Sequence, residues 1–214
     1  MMKKQNNHHS SGFSLIELLV AMSVTLVLMG LVSGVLVSAL GTRTRETRRA
    51  DALTAARAAI NVISREVADS GYGLILNTVN GSYDNGIIIP DSNNKRLHFR
   101  SNVTNTNLAT NSPGEDVTYF FDSTTQSIVR HDPNDNPKTS VIVNGISDVD
   151  FSYYNYTGSN STPTITTVPT ANTGRVTITV TVTLEAVVGQ PTNQTVTFSS
   201  DVTLRNSHYM LHQY

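Results

Sequence analysis

The chain has 214 residues, no cysteine and a formal net charge of −1. That length suits one modest domain plus an extra segment. The absence of thiols excludes disulfides and thiolate metal sites, and the near-neutral charge excludes a strong overall field that would recruit nucleic acid. Charge is nevertheless uneven: residues 41–73 hold six Arg against four acids, whereas residues 74–214 hold seven Lys or Arg against eleven acids. The second part is rich in Thr, Asn and Ser and poor in Lys, which suits an exported β-domain.

A short leader, residues 1–12, carries Lys3, Lys4, His8 and His9. From Leu15 to Leu40 follows an apolar run of 26 residues whose single charge is Glu17. As a helix this run is about 39 Å long at ~1.5 Å per residue, enough to cross a bilayer core of ~30 Å. Val37-Ser38-Ala39 resembles a small-residue cleavage site, but the apolar region of a cleaved signal peptide is usually only ~7–15 residues, so the segment is expected to stay on the protein. Gly30, Gly34 and Ser38 recur every four residues and share one helix face. Three readings stay open there: close backbone packing, ordinary glycine use in spanning helices, and local weakening of the helix when lipid is exchanged for protein neighbours.

A carboxylate near the end of a spanning helix is cheaper than one at its centre, yet it needs a reason. Glu17 can snorkel to headgroup depth. Alternatively it meets a cation made by processing: a cut between Gly12 and Phe13 exposes an α-amine, charged over much of the neutral range because its pKa is about 7.7–8.0. Glu17 would then pair with the amine of a neighbouring chain and fix the axial offset between stacked helices, a gain in register more than in stability.

The stretch "KKQNNHHSSG|FSLIELLVAM" resembles the class III signal of type IV prepilins and of type II secretion pseudopilins: a short basic leader, Gly before the cut, Phe as the new first residue and Glu as the fifth. The resemblance implies cleavage after Gly12 by a prepilin peptidase, N-methylation of Phe13, and Glu17 as the assembly glutamate. It also implies a helix held in the inner membrane until a filament takes it up. The chain is then substrate, not catalyst. Lysine and arginine counts point the other way, since Arg43, Arg45, Arg48 and Arg49 follow the span and the positive-inside rule would place that side in the cytoplasm. The motif requires a C-terminal domain in the periplasm, and the motif is preferred because assembly machinery can override a statistical rule.

No proline interrupts residues 13–70. After Gly41 the pattern turns amphipathic, with Leu53, Ala56, Ile60, Ile63 and Val67 on one stripe and Arg57, Asn61, Ser64 and Arg65 elsewhere. This second segment, 42–73, is expected to leave the membrane and dock its stripe on a sheet rather than form a free coiled coil. The arginines at 43–49 become a solvated or headgroup-facing collar. Gly71 and Gly73 read as the stop.

Beyond residue 74 the period becomes two. "RVTITVTVTLEAV" places Val176, Ile178, Val180, Val182 and Leu184 on one face, with Thr177, Thr179, Thr181, Thr183 and Glu185 on the other. "GQPTN" turns the chain, and "QTVTFSSDVTLRN" returns with Val196, Phe198, Val202 and Leu204 in phase. Earlier strands are expected at 86–90, 96–101, 116–123, 127–131, 140–146 and 147–154, with loops at 102–114 and 156–174. The fold class is α+β, a long helix covering the apolar face of an antiparallel meander over 74–214, type IV pilin-like in view of the resemblance. "DVTYFFDSTTQSIVRHD", "VNGISDVDFSYYN" and "FSSDVTLRN" are also similar to parts of PilW-type minor pilins and of J-type minor pseudopilins. That similarity implies a subunit of the complex that primes a pilus near its tip.

No catalytic set emerges. "HDPNDNP" at 131–137 begins like a calcium loop, but Pro137 and Val143 stand where an EF-hand needs Gly and Glu, so a turn explains it. His208 and His212 lack a third ligand, and no metal or cofactor is expected. The long loops can bind surfaces or DNA or be plain decoration, and nucleic acid is not specifically indicated. Expected partners are other minor pilins, the major pilin, the inner-membrane assembly platform, the prepilin peptidase, and lipid before assembly. The alternatives are a J-type pseudopilin and, from another class, a monotopic anchored binding protein that never polymerises.

Overall fold

The computed structural model describes residues 12–74, 78–79, 82–83, 85–104, 109–157, 162–184 and 192–211. The leader up to residue 11, with His8 and His9, lies outside the described residues, as do Glu185, His212 and part of each expected loop. One helix, α1, runs unbroken from Leu15 to Ala68, 54 residues. It ends at Asp69, whose N–H bonds back to Glu66 O at 3.2 Å, while Ser70 N–H bonds to Val67 O at 3.1 Å. The expected stop glycines follow at once, both left-handed: Gly71 has φ 81° and Gly73 φ 63°.

Nothing in α1 before Ala56 is fully buried, whereas Ala56, Ala59, Ile60, Ile63 and Val67 all are. Four of these belong to the expected stripe. Leu53, its first member, is only partly covered, and Ala59 adds a buried position that the stripe did not include. The stripe packs on strands β6, β9 and β10, described below. Burial of each Ile or Val here contributes about 1.5–3 kcal/mol, which fixes the direction in which the rest of the helix projects.

The head holds a two-residue hairpin, β1 (Thr78–Val79) with β2 (Ser82–Tyr83), and two four-stranded antiparallel sheets where one meander was expected. The first is a true meander: β3 (Arg96–Arg100), β4 (Asp116–Asp122), β5 (Ser127–His131) and β6 (Thr139–Asn144), in that order. The second has the order β10-β9-β7-β8, from β7 (Asp148–Asn155), β8 (Thr164–Thr166), β9 (Thr173–Thr183) and β10 (Thr195–Thr203). The chain changes sheets within three residues. Gly145 (φ 74°) makes the turn, Ile146 N–H reaches back to Gln126 O at 3.0 Å, and Ser147 N–H bonds to Thr181 O at 2.8 Å. The buried positions change phase here, from Ile146 to Val149, Phe151 and Tyr153, at the boundary expected between the strands 140–146 and 147–154. The sequence pattern marks the boundary but not the change of sheet.

Two local expectations need correction. Residues 86–90 do not form a strand: Ile87 makes one bridge to Phe99, and Ile89–Asp91 is a 3₁₀ turn with Pro90 in its first positions, where proline's missing N–H costs nothing. The segment 156–174 is not all loop, since β8 and the start of β9 fall inside it. β8 pairs only residues 153–155 of β7. The remaining edge of β7 is closed by the turn before β3, with Phe151 N–H on Asn94 O at 2.8 Å and Tyr153 OH on Asn93 O at 2.8 Å. Lys95 adds ion pairs to Asp148 at 2.6 Å and Asp150 at 2.8 Å. These contacts join the two sheets.

The faces follow the alternation. Val176, Ile178, Val180, Val182 and Leu184 are buried, as are Val117, Tyr119, Val149, Phe151 and Tyr153. On β10 only Val202 is fully buried, with Leu204 just beyond it, because β10 is an edge strand beside the helix. Truncating the centre of the helix stripe tests this packing. Ile63→Ala, at a side chain with no exposed surface, is expected to cost roughly 2–5 kcal/mol. Asn61→Ala on the exposed face should change stability by no more than about 0.5 kcal/mol, with both read as urea midpoints of the solubilised chain.

Candidate functional site: the start of the long helix

Gly12 and Phe13 precede α1 without regular secondary structure, and Phe13 is 88% exposed. Ser14 is the N-cap (φ −71°, ψ 143°) and Glu17 stands at the third helical position. The Ser14 N–H donates to Glu17 Oε2 at 3.0 Å, the return half of a capping box. The carboxylate is therefore turned back toward the helix start, where unpaired N–H groups make a positive pole. Its other oxygen takes no bond among the described residues. An amine made at Phe13 would be attached to Ser14, next to the group Glu17 already touches.

Ser14 is the site residue that the reading of the sequence missed. Its signal was present, because "SLIE" directly before an apolar run has the S-x-x-E spacing of a capping box.

Gly30, Gly34 and Ser38 lie within unbroken helix, all exposed. A Cβ built on Gly30 or Gly34 would meet nothing within 4 Å. The same holds for Gly12, so among the described residues no contact calls for glycine at these three positions. The contrast is Gly86, where a Cβ would stand 2.1 Å from Gly71 N; there the crossing of two segments demands it. The run from Leu15 onward is apolar on all sides and unburied, and α1 is long and apolar enough to cross a membrane.

In the head, polar clusters are tied into the fold. Arg130, 11% exposed, reaches Glu66 at 3.0 Å, Asp132 at 3.2 Å and Asp135 at 3.3 Å, and Tyr119 OH donates to Glu66 at 2.7 Å. This node fastens the end of α1 to β4 and β5. Burial, together with the neighbouring Glu66 carboxylate, pushes the Tyr119 hydroxyl far up. Asp132, first of the calcium-like residues, is buried and spends its oxygens on Arg130 and on the N–H groups of Gly114 and Asn134. It is a turn residue, as expected. His98 lies between Asp91 (3.1 Å) and Asp116 (2.6 Å). Among the described residues no three His, Asp or Glu side chains form a metal-binding group.

Residues 7–33 match the family described as "Prokaryotic N-terminal methylation motif". No curated protein matches the chain, and no solved structure does. The motif is of the type IV prepilin kind, and it supports a general role as a pilin or pseudopilin, a structural subunit carried on a membrane-capable helix. It implies processing by a prepilin peptidase and assembly with other pilins. The observed α+β architecture, a long N-terminal helix on antiparallel sheets, is consistent with a pilin-like fold.

One buried acid gives a pH-dependent test of the head. Glu115 has no exposed surface and accepts bonds from Thr104 N–H (3.0 Å), Thr104 Oγ1 (2.7 Å) and Ser112 N–H (2.9 Å). Burial alone would raise its pKa, but these donors outweigh burial and hold it below the usual carboxylate range. A depressed carboxyl stabilises the fold above its unfolded value of about 4.3 and loses that contribution as pH falls through the folded value. Glu115→Gln should therefore lower stability at pH 7 by roughly 1–3 kcal/mol. It should also flatten the loss of stability on acidification below about pH 4, as read from urea midpoints across the pH range.

Proposed function

We propose that the chain is a minor type IV pilin of PilW type, a subunit that helps prime pilus assembly near the tip. The observation that carries this reading is a methylation motif at 7–33 placed on a helix whose first forty residues have no fully buried position. A helix apolar on every face needs lipid or other such helices around it, and a filament supplies the second after the membrane has supplied the first. The proposed life cycle starts in the inner membrane, with the leader in the cytoplasm and the head in the periplasm. The peptidase cuts after Gly12 and methylates Phe13. Extraction by the assembly platform then sets the helix among those of the major pilin and other minor pilins.

Within that cycle Glu17 is the assembly group. In the single chain its carboxylate caps its own helix, which satisfies it in part and aims it at the terminus. In the filament a neighbour's methylated amine takes the open oxygen. Pairing of opposite charges in surroundings of low dielectric specifies axial register, because a displaced helix leaves both charges unpaired. Gly30, Gly34 and Ser38 are proposed as the face where neighbouring helices approach closely. The absence of any internal contact at the two glycines supports a requirement that lies outside the chain.

Mass spectrometry of the mature N-terminus tests the first step: a methylated Phe13 is expected, and a chain that keeps its first twelve residues in cells with an active peptidase overturns the proposal. Glu17→Ala is expected to insert normally yet be lost from sheared filaments. An anchored binding protein would keep its activity in that variant. Deletion separates the two assembly systems, since a pilus subunit should be needed for twitching and a J-type pseudopilin for secretion.

A further inference from the structure

The four arginines just beyond the apolar run have no role in the cycle above. Arg43, Arg45, Arg48 and Arg49 occupy about two turns of α1, with Glu46 as the single acid among them. In the structure they divide into two pairs. Arg45 and Arg48 turn toward the head and are half-buried, and Arg45 donates to Gln194 at the approach to β10. Arg43 and Arg49 are exposed, and among the described residues their guanidinium groups make no hydrogen bond or ion pair. Glu46 stands three residues from each, a spacing that permits pairing on a helix, yet no ion pair forms.

Depth along the helix decides what these two groups meet. At ~1.5 Å per residue, Arg43 lies about 4–5 Å and Arg49 about 13–14 Å beyond Leu40. A headgroup layer is roughly 5–8 Å thick on each side of the hydrocarbon. The apolar run exceeds the core thickness, so tilting to fit brings both positions closer to the membrane, and an arginine side chain can bend its head several ångströms along the axis to reach a preferred layer. Both guanidiniums are thus within reach of the lipid phosphates. The guanidinium fork binds phosphate oxygens in pairs.

We propose that Arg43 and Arg49 form a two-point clamp for anionic phospholipid headgroups, while Arg45 and Arg48 hold the same stretch of helix to the head. The inference rests on the reading of Leu15–Leu40 as a span, but not on which side of the membrane the head occupies. It assigns the arginines to depth and lipid choice. Their excess beyond the span then need not be read as an orientation signal. An anionic lipid is favoured over a zwitterionic one because four arginines stand here against Glu46 and Asp51, and a choline group would bring a further cation among them.

The test uses the full chain in nanodiscs of phosphatidylcholine with a minor fraction of phosphatidylglycerol, each lipid supplied in turn with a spin label. Phosphatidylglycerol should associate several-fold more strongly than phosphatidylcholine, up to roughly fivefold for each arginine fully engaged. The preference should nearly vanish in the Arg43→Gln, Arg49→Gln double variant and largely survive in the corresponding double lysine variant. Near-UV circular dichroism checks that the head is folded in each. Equal association of the two lipids with the inserted wild type, or a preference unchanged by the glutamines, overturns the clamp while leaving the span intact. Absence of the wild type from the disc fraction overturns both. Duplex DNA bound through the same two arginines, without any lipid preference, also overturns the clamp.

Discussion

One rigid element has to satisfy two surroundings. α1 has no break between Leu15 and Ala68, so whatever orients its last third also orients its first two-thirds. Orientation comes from Ala56, Ala59, Ile60, Ile63 and Val67 pressed on β6, β9 and β10, and from the Arg130 node that holds Glu66 near the helix end. The apolar packing supplies most of the stability; the ion-paired node supplies direction, since a buried charge network is satisfied in one geometry only. Together they make the exposed N-terminal rod a fixed projection of the head.

Much of this was legible in the chain. The change from an all-round apolar run to a single stripe after Gly41, and then to a period of two, marks where each surrounding begins. The period depends on which face is buried, and burial on that face is what the structure repeats at Ile60, Ile63, Phe151 and Ile178. The helix stop and most strands follow from the same logic.

What periodicity reports is a face, not a partner. The buried phase slips between Ile146 and Val149, next to the left-handed Gly145, so a strand boundary can be read there; that Ile146 bonds to the first sheet and Ser147 to the second cannot. Buried polar groups were equally hidden. Glu115, Asp132 and Asn85 read as loop residues by type, yet each is enclosed and holds a backbone partner from farther along the chain, Thr104 N–H, Gly114 N–H and Thr173 O respectively. Asn85, for instance, donates to the carbonyl of Thr173 at 2.9 Å. Such partners are set by the tertiary fold, and no local spacing encodes them. The Ser14–Glu17 pair is the opposite case, since a local spacing does encode it.

The glycines separate what the chain requires of itself from what others require of it. At Gly86 a side chain would collide with Gly71, and at Gly73 a Cβ would stand 2.7 Å from Asn102 O; both are explained by the fold alone. At Gly12, Gly30 and Gly34 the space is open, and glycine inside a helix costs about 1 kcal/mol relative to alanine. A helix that carries two such residues without internal need is weaker for it, unless something outside fills the gap they leave. The place of Gly12, one residue before an exposed Phe13 and five before the lone acid of the run, follows the same rule. In the proposed cycle its purpose lies in a partner that reads the chain, and the methylation motif at 7–33 supports a processing enzyme as that partner.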